Sequence, residues 1–363
     1  MAITSPDGSA PIFGEVRVAA EVTAEEAVAA TLLVDGVVQP PLTRPPYEWH
    51  LDVGQENRPH RFQVLLRGAS GGTASASVET PALRVDLEVG VELQQLYVSV
   101  EAEGDPVDDL LASDFTVRDG GRPQKLTTFA RGDVPFTALL LVDASDSMRG
   151  DRLATALAGA RSFLEELQPL DQAKLMLFSD RILFETPFSS FPELLQAGLE
   201  SVAAQGGTAI NDHLFLAVQE LSYRSGRRVV ILLSDGVDTV SVLPMAEVEA
   251  GVRRSSALIY WLRIGGAPRT GAHSSSWRSA AEHDEELRRL EEAVAGSGGR
   301  ILDLPHLAAS TEAFAGILAE LRRQYVLGYS PEVDRGDGRW HEVRVKVRRP
   351  GVEVRTAEGY FDF

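Results

Sequence analysis

From residue 136 onward the chain alternates mainly apolar runs with amphipathic ones, and this alternation restricts the fold more than any other feature. The runs at 136–142, 173–179, 228–234 and 257–264 have the length and branched apolar character of strands buried on both faces. Between the first two, residues 151–167 place Leu153, Leu157, Ala160, Phe163, Leu164 and Leu167 on one helical face. Further helices are predicted at 191–203, 210–223, 244–255, 284–295 and 308–322, a short strand at 299–303 and an antiparallel edge at 181–185. The pattern predicts an α/β fold, an open and mostly parallel sheet with helices on both faces. Ligands of such sheets sit beyond the carboxyl ends of the strands, beside a switch in strand order.

Two of those ends are polar in a specific way. The run Leu139-Leu140-Leu141-Val142 stops at Asp143-Ala144-Ser145-Asp146-Ser147, and the run from Val229 to Leu233 stops at Ser234-Asp235-Gly236. A third segment, Gly206-Gly207-Thr208, lies between them. One carboxylate and two hydroxyls at alternate positions suit a hard divalent cation, which prefers oxygen ligands; Mg²⁺ takes a near-octahedral set at roughly 2.1 Å. Taken singly, Asp-x-Ser-x-Ser is equally a helix N-cap. The three segments in this order are the most specific signal in the chain.

Asp143-x-Ser145-x-Ser147, Thr208 and Asp235-Gly236 resemble the metal-ion-dependent adhesion site of von Willebrand factor type A domains, over about residues 134–321. A longer match resembles a bacterial subfamily with flanking β-sandwich segments. The resemblance implies a Rossmann-like α/β domain in which Ser145, Ser147 and Thr208 ligate Mg²⁺ (or Mn²⁺ or Ca²⁺) directly. Asp143 and Asp235 would act mostly through bound water. It further implies an open coordination position for an Asp or Glu of a protein partner, hence an adhesion-type binding module and no enzyme. The competing reading is a structural scaffold of a cell-envelope complex with no metal-dependent ligand.

Other chemistries lack their residues. A haloacid-dehalogenase-like phosphatase needs a second Asp where Ser145 stands. No Gly-x-Ser-x-Gly elbow, phosphate loop or His-Glu-x-x-His is present. His213 is predicted on a helix surface, and His273 and His283 in a solvated loop. Asp146, Asp151, Asp212 and Asp238 would crowd the cup with negative charge, or cap helices and face water. Asp146 and Asp238 stand as candidates for the ligand-binding rim. So do Trp277, Arg269 and Arg278, because the long loop from Gly265 leaves the same sheet edge and aromatic and Arg side chains dominate binding hot spots. A non-contacting insertion fits that loop as well.

The flanks read as β-structure. Residues 1–81 alternate with period two, carry an Asp35-Gly36 hairpin turn, and predict an immunoglobulin-like β-sandwich with Trp49 in its core. Residues 82–133 hold too few strands for a second sandwich, and the missing ones are found at 323–363. The expected organisation is therefore a discontinuous β-sandwich, 82–133 plus 323–363, with the α/β domain at 134–322 inserted into it.

A net charge of -18 argues against nucleic acid as a partner. No apolar stretch approaches the roughly 20 residues of a membrane helix. The absence of cysteine removes disulfides and thiolate chemistry. No signal peptide is recognised at Met1-Ala2-Ile3-Thr4-Ser5-Pro6. A trimmed mature chain would be extracellular or periplasmic, and a complete one cytoplasmic.

Overall fold

The computed structural model describes residues 1–23, 27–69, 71–82, 93–132, 134–196, 202–264, 279–331 and 337–362. The chain divides into two units, Met1–Gly90 and Val91–Phe363.

Among the described residues the first unit has seven strands: β1 (Ala2–Ser5), β2 (Glu15–Glu21), β3 (Ala27–Val34), β4 (Val37–Val38), β5 (Tyr47–Asp52), β6 (His60–Gly68) and β7 (Thr73–Thr80). They form two antiparallel sheets, ordered β1-β2-β5 and β4-β3-β6-β7. Alternate residues of both meet in one core: Val16, Val18, Tyr47 and Trp49 from one sheet, Ala30, Leu32, Phe62 and Val64 from the other. Asp35 and Gly36 both have positive φ, 51° and 85°, which the two-residue β3–β4 turn requires. Trp49 is buried, and its indole nitrogen donates to the Pro40 carbonyl at 3.1 Å.

The second unit opens with β8 (Gln94–Ala102), β9 (Asp105–Pro106), β10 (Phe115–Asp119), β11 (Arg122–Gln124) and β12 (Leu126–Arg131). The α/β layer follows: β13 (Phe136–Asp143), α1 (Asp151–Glu165), β14 (Gln172–Phe178), β15 (Ile182–Glu185), α2 (Pro192–Gln196), α3 (Ile210–Ser222), β16 (Arg227–Ser234), α4 (Met245–Ser255), β17 (Leu258–Ile264), α5 (Ala280–Gly296), β18 (Arg300–Leu304) and α6 (Ser310–Leu321). The chain then returns through β19 (Tyr325–Tyr329), β20 (Trp340–Val347), β21 (Val352–Arg355) and β22 (Gly359–Phe361).

The central sheet has the order β15-β14-β13-β16-β17-β18, parallel except for β15. Its strands are apolar on both faces because helices cover both. Ala138, Leu140 and Val142 of β13 point toward Phe163 and Leu164 of α1 and Phe314 and Ile317 of α6. Leu139 and Leu141 point toward Leu214 and Val218 of α3 and Val248 of α4. β14 lies on one side of β13 and β16 on the other, so the switch in strand order falls at the carboxyl ends of β13 and β16.

Helix α5 begins four residues before the sequence-based expectation of 284. Its start is a capping box: the Glu282 amide donates to the Ser279 hydroxyl at 3.2 Å, and the Ser279 amide donates to the Glu282 carboxylate at 2.7 Å. His283 therefore lies on the helix and is buried, a correction to its expected place in a solvated loop.

The strands before and after the α/β layer pair with each other. β12 and β8 both flank β19, and β21 lies beyond β8; β10 pairs with β20, which pairs with β22. Leu96, Val98, Phe115, Val117, Tyr325, Leu327 and Val343 form their shared core.

Two buried polar clusters tie these strands to the α/β layer. Arg227, at 1% exposure, lies beside the rings of Tyr97 and Phe136. Its guanidinium donates to the Leu321 carbonyl at 2.6 Å, to Gln324 Oε1 at 3.1 Å, and to the Val134 carbonyl. Burial pushes its pKa down to about 10, so it stays charged at neutral pH. In the second cluster, Glu320 of α6 accepts from Ser99 and Tyr260 hydroxyls at 2.9 Å each and from Arg355 at 3.1 Å.

Candidate functional site

Each of the three sequence segments is a loop at the carboxyl edge of the central sheet. Asp143 ends β13, at 1% exposure. One of its oxygens accepts the Ser145 amide at 2.9 Å, and the other accepts the hydroxyl of Ser234, the last residue of neighbouring β16, at 2.8 Å. The carboxylate is thus fixed across the switch point by one contact from each strand end. Ser145 is buried and Ser147 exposed, and their hydroxyl oxygens lie 3.1 Å apart.

The second loop is strapped onto the first. The Asp146 amide donates to the Gly206 carbonyl at 2.9 Å, the Gly206 amide donates back to Asp146 Oδ1 at 3.0 Å, and the Gln205 amide donates to the Ala144 carbonyl at 2.9 Å. Gly206 has φ of +84°, and a Cβ there would meet the Asp180 carboxylate at 2.8 Å. Thr208 is buried. Its carbonyl accepts the Thr239 amide at 2.8 Å and its amide donates to the Thr239 hydroxyl at 2.8 Å, which joins the second loop to the third. The third segment joins the first through the Ser234 hydroxyl, which donates to the Asp143 carboxylate at 2.8 Å, and Ser147 lies near enough to Asp235 to oppose the rise in its pKa. All five residues singled out in the sequence therefore lie in mutually bonded loops.

The electrostatics follow from burial. Desolvation pushes the Asp143 carboxyl up to about 6, and the Asp235 charge adds to the rise against the hydrogen bonds from Ser145 and Ser234. Desolvation raises Asp235 as well. Two partly desolvated carboxylates beside hydroxyl oxygens form a hard, all-oxygen donor set. Adjacent ligands on an octahedron of about 2.1 Å radius are about 3.0 Å apart, the spacing the Ser145 and Ser147 oxygens already have. Asp143, Ser145, Ser147 and Asp235 fit a small divalent cation and could hold it, with Thr208 on the adjoining loop.

The rim residues separate. Asp146 is exposed, paired with Arg149 at 2.8 Å, and stands beside the serines. Asp238 is buried instead of standing at a rim; its oxygens accept the Asn211 and Ser241 amides at 3.0 Å each. Asp212 does the same for Val242 and Leu243, so these two carboxylates brace the loop ahead of α4. His213 is not on a helix surface: it is buried, its Nδ1 lies 2.7 Å from the Ala209 carbonyl, and its ring packs 4.9 Å from Phe178. Trp277, Arg269 and Arg278 lie outside the described residues, as does His273.

Sequence reasoning missed the supports. Ser234 was visible only as part of a Ser-Asp-Gly string, although it holds Asp143. Trp261 of β17 lies under the third loop, donating to the Ser234 carbonyl at 3.1 Å. Gly236, at φ +83°, passes over that indole, and a Cβ there would sit 2.4 Å from it. Gly236→Ala is therefore expected to destabilise the chain by about 2–4 kcal/mol, from left-handed strain plus overpacking. A urea midpoint unchanged from wild type would contradict that account.

Residues 138–237 match the family model of the von Willebrand factor type A domain. Inter-alpha-trypsin inhibitor heavy chain H4 of Bos taurus is 29% identical over 151 residues, 37% of this chain and 15% of that protein. An uncharacterized protein of Synechocystis sp., sll0103, is 30% identical over 141 residues, 35% of this chain and 33% of its own. The chain thus spans well under half the length of these curated relatives. Among solved structures, von Willebrand factor type A from Catenulispora acidiphila is 13% identical, with a TM-score of 0.42 over 74% of this chain and 75% of that one. BatB from Bacteroides thetaiotaomicron is 19% identical, with a TM-score of 0.40 over 51% of this chain and 98% of that one.

Proposed function

Because this chain carries a von Willebrand factor type A domain, we propose that it is a non-enzymatic protein-binding module that captures an acidic partner residue through a divalent cation. The domain supports a protein-interaction role in general. The observation that carries the metal-dependent reading is the pair of hydroxyl oxygens 3.1 Å apart beside a buried carboxylate whose proton affinity is raised by desolvation. A bound Mg²⁺ supplies a concentrated positive charge that a carboxylate from outside can reach. Asp143 and Asp235 would balance that charge, and Ser145, Ser147 and Thr208 would hold the ion. Exposed Ser147 and Asp146 border the side from which a partner enters.

Ser145→Ala is expected to weaken metal binding and partner capture together, roughly 10- to 100-fold, with an unchanged circular dichroism spectrum. Calorimetry returning wild-type Mg²⁺ affinity for that variant would overturn the assignment.

The Glu320 cluster favours a second reading, a rigid scaffold whose α/β layer is locked to its flanking strands. EDTA separates the two. A metal-dependent module releases a partner pulled from native extract, whereas a scaffold retains it. We also take the N-terminal unit as immunoglobulin-like, on the strength of its two-sheet core.

A further inference from the structure

We propose that Asp337, His341 and Asp362 bind a first-row divalent cation of the Zn²⁺ class at the edge of the sheet containing β20 and β22, separate from the loops around Asp143. The three residues are scattered in sequence but joined by strand pairing. β20 and β22 are antiparallel, with His341 opposite Tyr360 and Trp340 opposite Phe361. Asp337 precedes β20 and Asp362 follows β22. The Gly338 amide donates to the Asp362 carbonyl at 2.7 Å, and the Asp362 amide donates to the Arg339 carbonyl at 3.1 Å, so the two ends are held together by main chain alone. One ring nitrogen of His341 and one carboxylate oxygen from each Asp all lie within 4.8 Å of one another.

Three observations point to a ligand here. Asp362 is 5% exposed, and among the described residues its carboxylate receives no hydrogen bond or ion pair, while it is aimed at Asp337 and His341. A cation between the three side chains would give this carboxylate the partner it lacks. Next, His341 Nε2 lies 3.2 Å from Asp337 Oδ1, close to the roughly 3.3 Å expected between two ligands of a tetrahedral ion with bonds of about 2.0 Å. Finally, the other ring nitrogen, Nδ1, faces Asp119 Oδ1 at 3.9 Å. Asp119 is buried and is fixed by the hydroxyls of Tyr329 at 2.9 Å and Tyr360 at 2.8 Å, and the imidazole stacks on Tyr360. That carboxylate stands on the side of the ring away from Asp337, where it could accept the Nδ1–H of a ligating imidazole after a small approach.

The donor set also discriminates. One imidazole nitrogen with two carboxylate oxygens suits Zn²⁺ and its first-row neighbours, whereas Mg²⁺ and Ca²⁺ take oxygen ligands. The two candidate centres of this chain therefore call for different ions, and Mg²⁺ can fill one without blocking the other.

The test is Zn²⁺ calorimetry on the chelator-treated full chain with Mg²⁺ saturating. One Zn²⁺ per chain is expected, with affinity falling at least tenfold in His341→Ala and in Asp362→Asn and unchanged in Ser145→Ala. Should Asp362→Asn fail to fold, the exposed Asp337→Asn, checked by circular dichroism, carries the same expectation. Absence of Zn²⁺ binding by the wild type, wild-type affinity in His341→Ala and Asp337→Asn, or loss in Ser145→Ala alone would each overturn the proposal.

Discussion

Replacing Arg227 with alanine is expected to destabilise the chain by roughly 3–5 kcal/mol. Arg227 donates to the carbonyls of Val134 and Leu321 and to the side chain of Gln324. Val134 lies where the chain enters the α/β layer, and Leu321 and Gln324 lie where it leaves, so a single guanidinium holds both crossings. Truncation leaves buried acceptors unpaired, each worth about 1–3 kcal/mol, and opens a hole between the Tyr97 and Phe136 rings. Lysine keeps the charge but cannot span three acceptors, so Arg227→Lys should recover only part of the loss. Denaturant unfolding of both variants checks this, and an Arg227→Ala midpoint equal to wild type would contradict it.

The second large effect depends on pH. Asp143 binds its proton more tightly folded than unfolded, because its pKa is raised from 3.8 to about 6. The contribution to stability is therefore fully present below about pH 4 and is lost as pH rises through about 6. At about 1.4 kcal/mol per pH unit, the loss is roughly 3 kcal/mol, and the raised pKa of Asp235 acts in the same direction. In EDTA, the difference in unfolding free energy between wild type and Asp143→Asn should change by about that amount between pH 4 and pH 7. Added Mg²⁺ should restore the wild type at pH 7, because it favours the ionised carboxylates, and leave Asp143→Asn unmoved. A pH-independent difference would show that Asp143 is not desolvated as the geometry requires.

The readable part of this chain is the part dictated by neighbours in sequence. Runs such as Leu139–Val142 and Val229–Leu233 are buried on both faces and announce themselves without any partner. The polar strings that end them follow directly, so the first residues of the cup were legible together with the strands that carry them. What escaped depends on contacts between distant segments. Ser234 matters because β16 happens to lie beside β13, and Trp261 because β17 passes under Gly236. His213 and His283 are polar side chains buried on their helices, so polarity alone does not mark exposure at either. The capping box at Ser279 and Glu282 is by contrast local, a Ser-x-x-Glu spacing at the start of α5. Asp337, His341 and Asp362 have no spacing that marks them, since only the antiparallel register of β20 and β22 brings them to one point.

The rungs Arg131↔Tyr325 and Ala130↔Val326 place the chain's departure into the α/β layer next to its return. Mechanical load arriving along β12 can therefore pass sideways into β19 through sheet hydrogen bonds and never travel through the intervening sequence. Pulling on the two flanking strands would thus load the β12–β19 rungs first, and the α/β layer only once they shear.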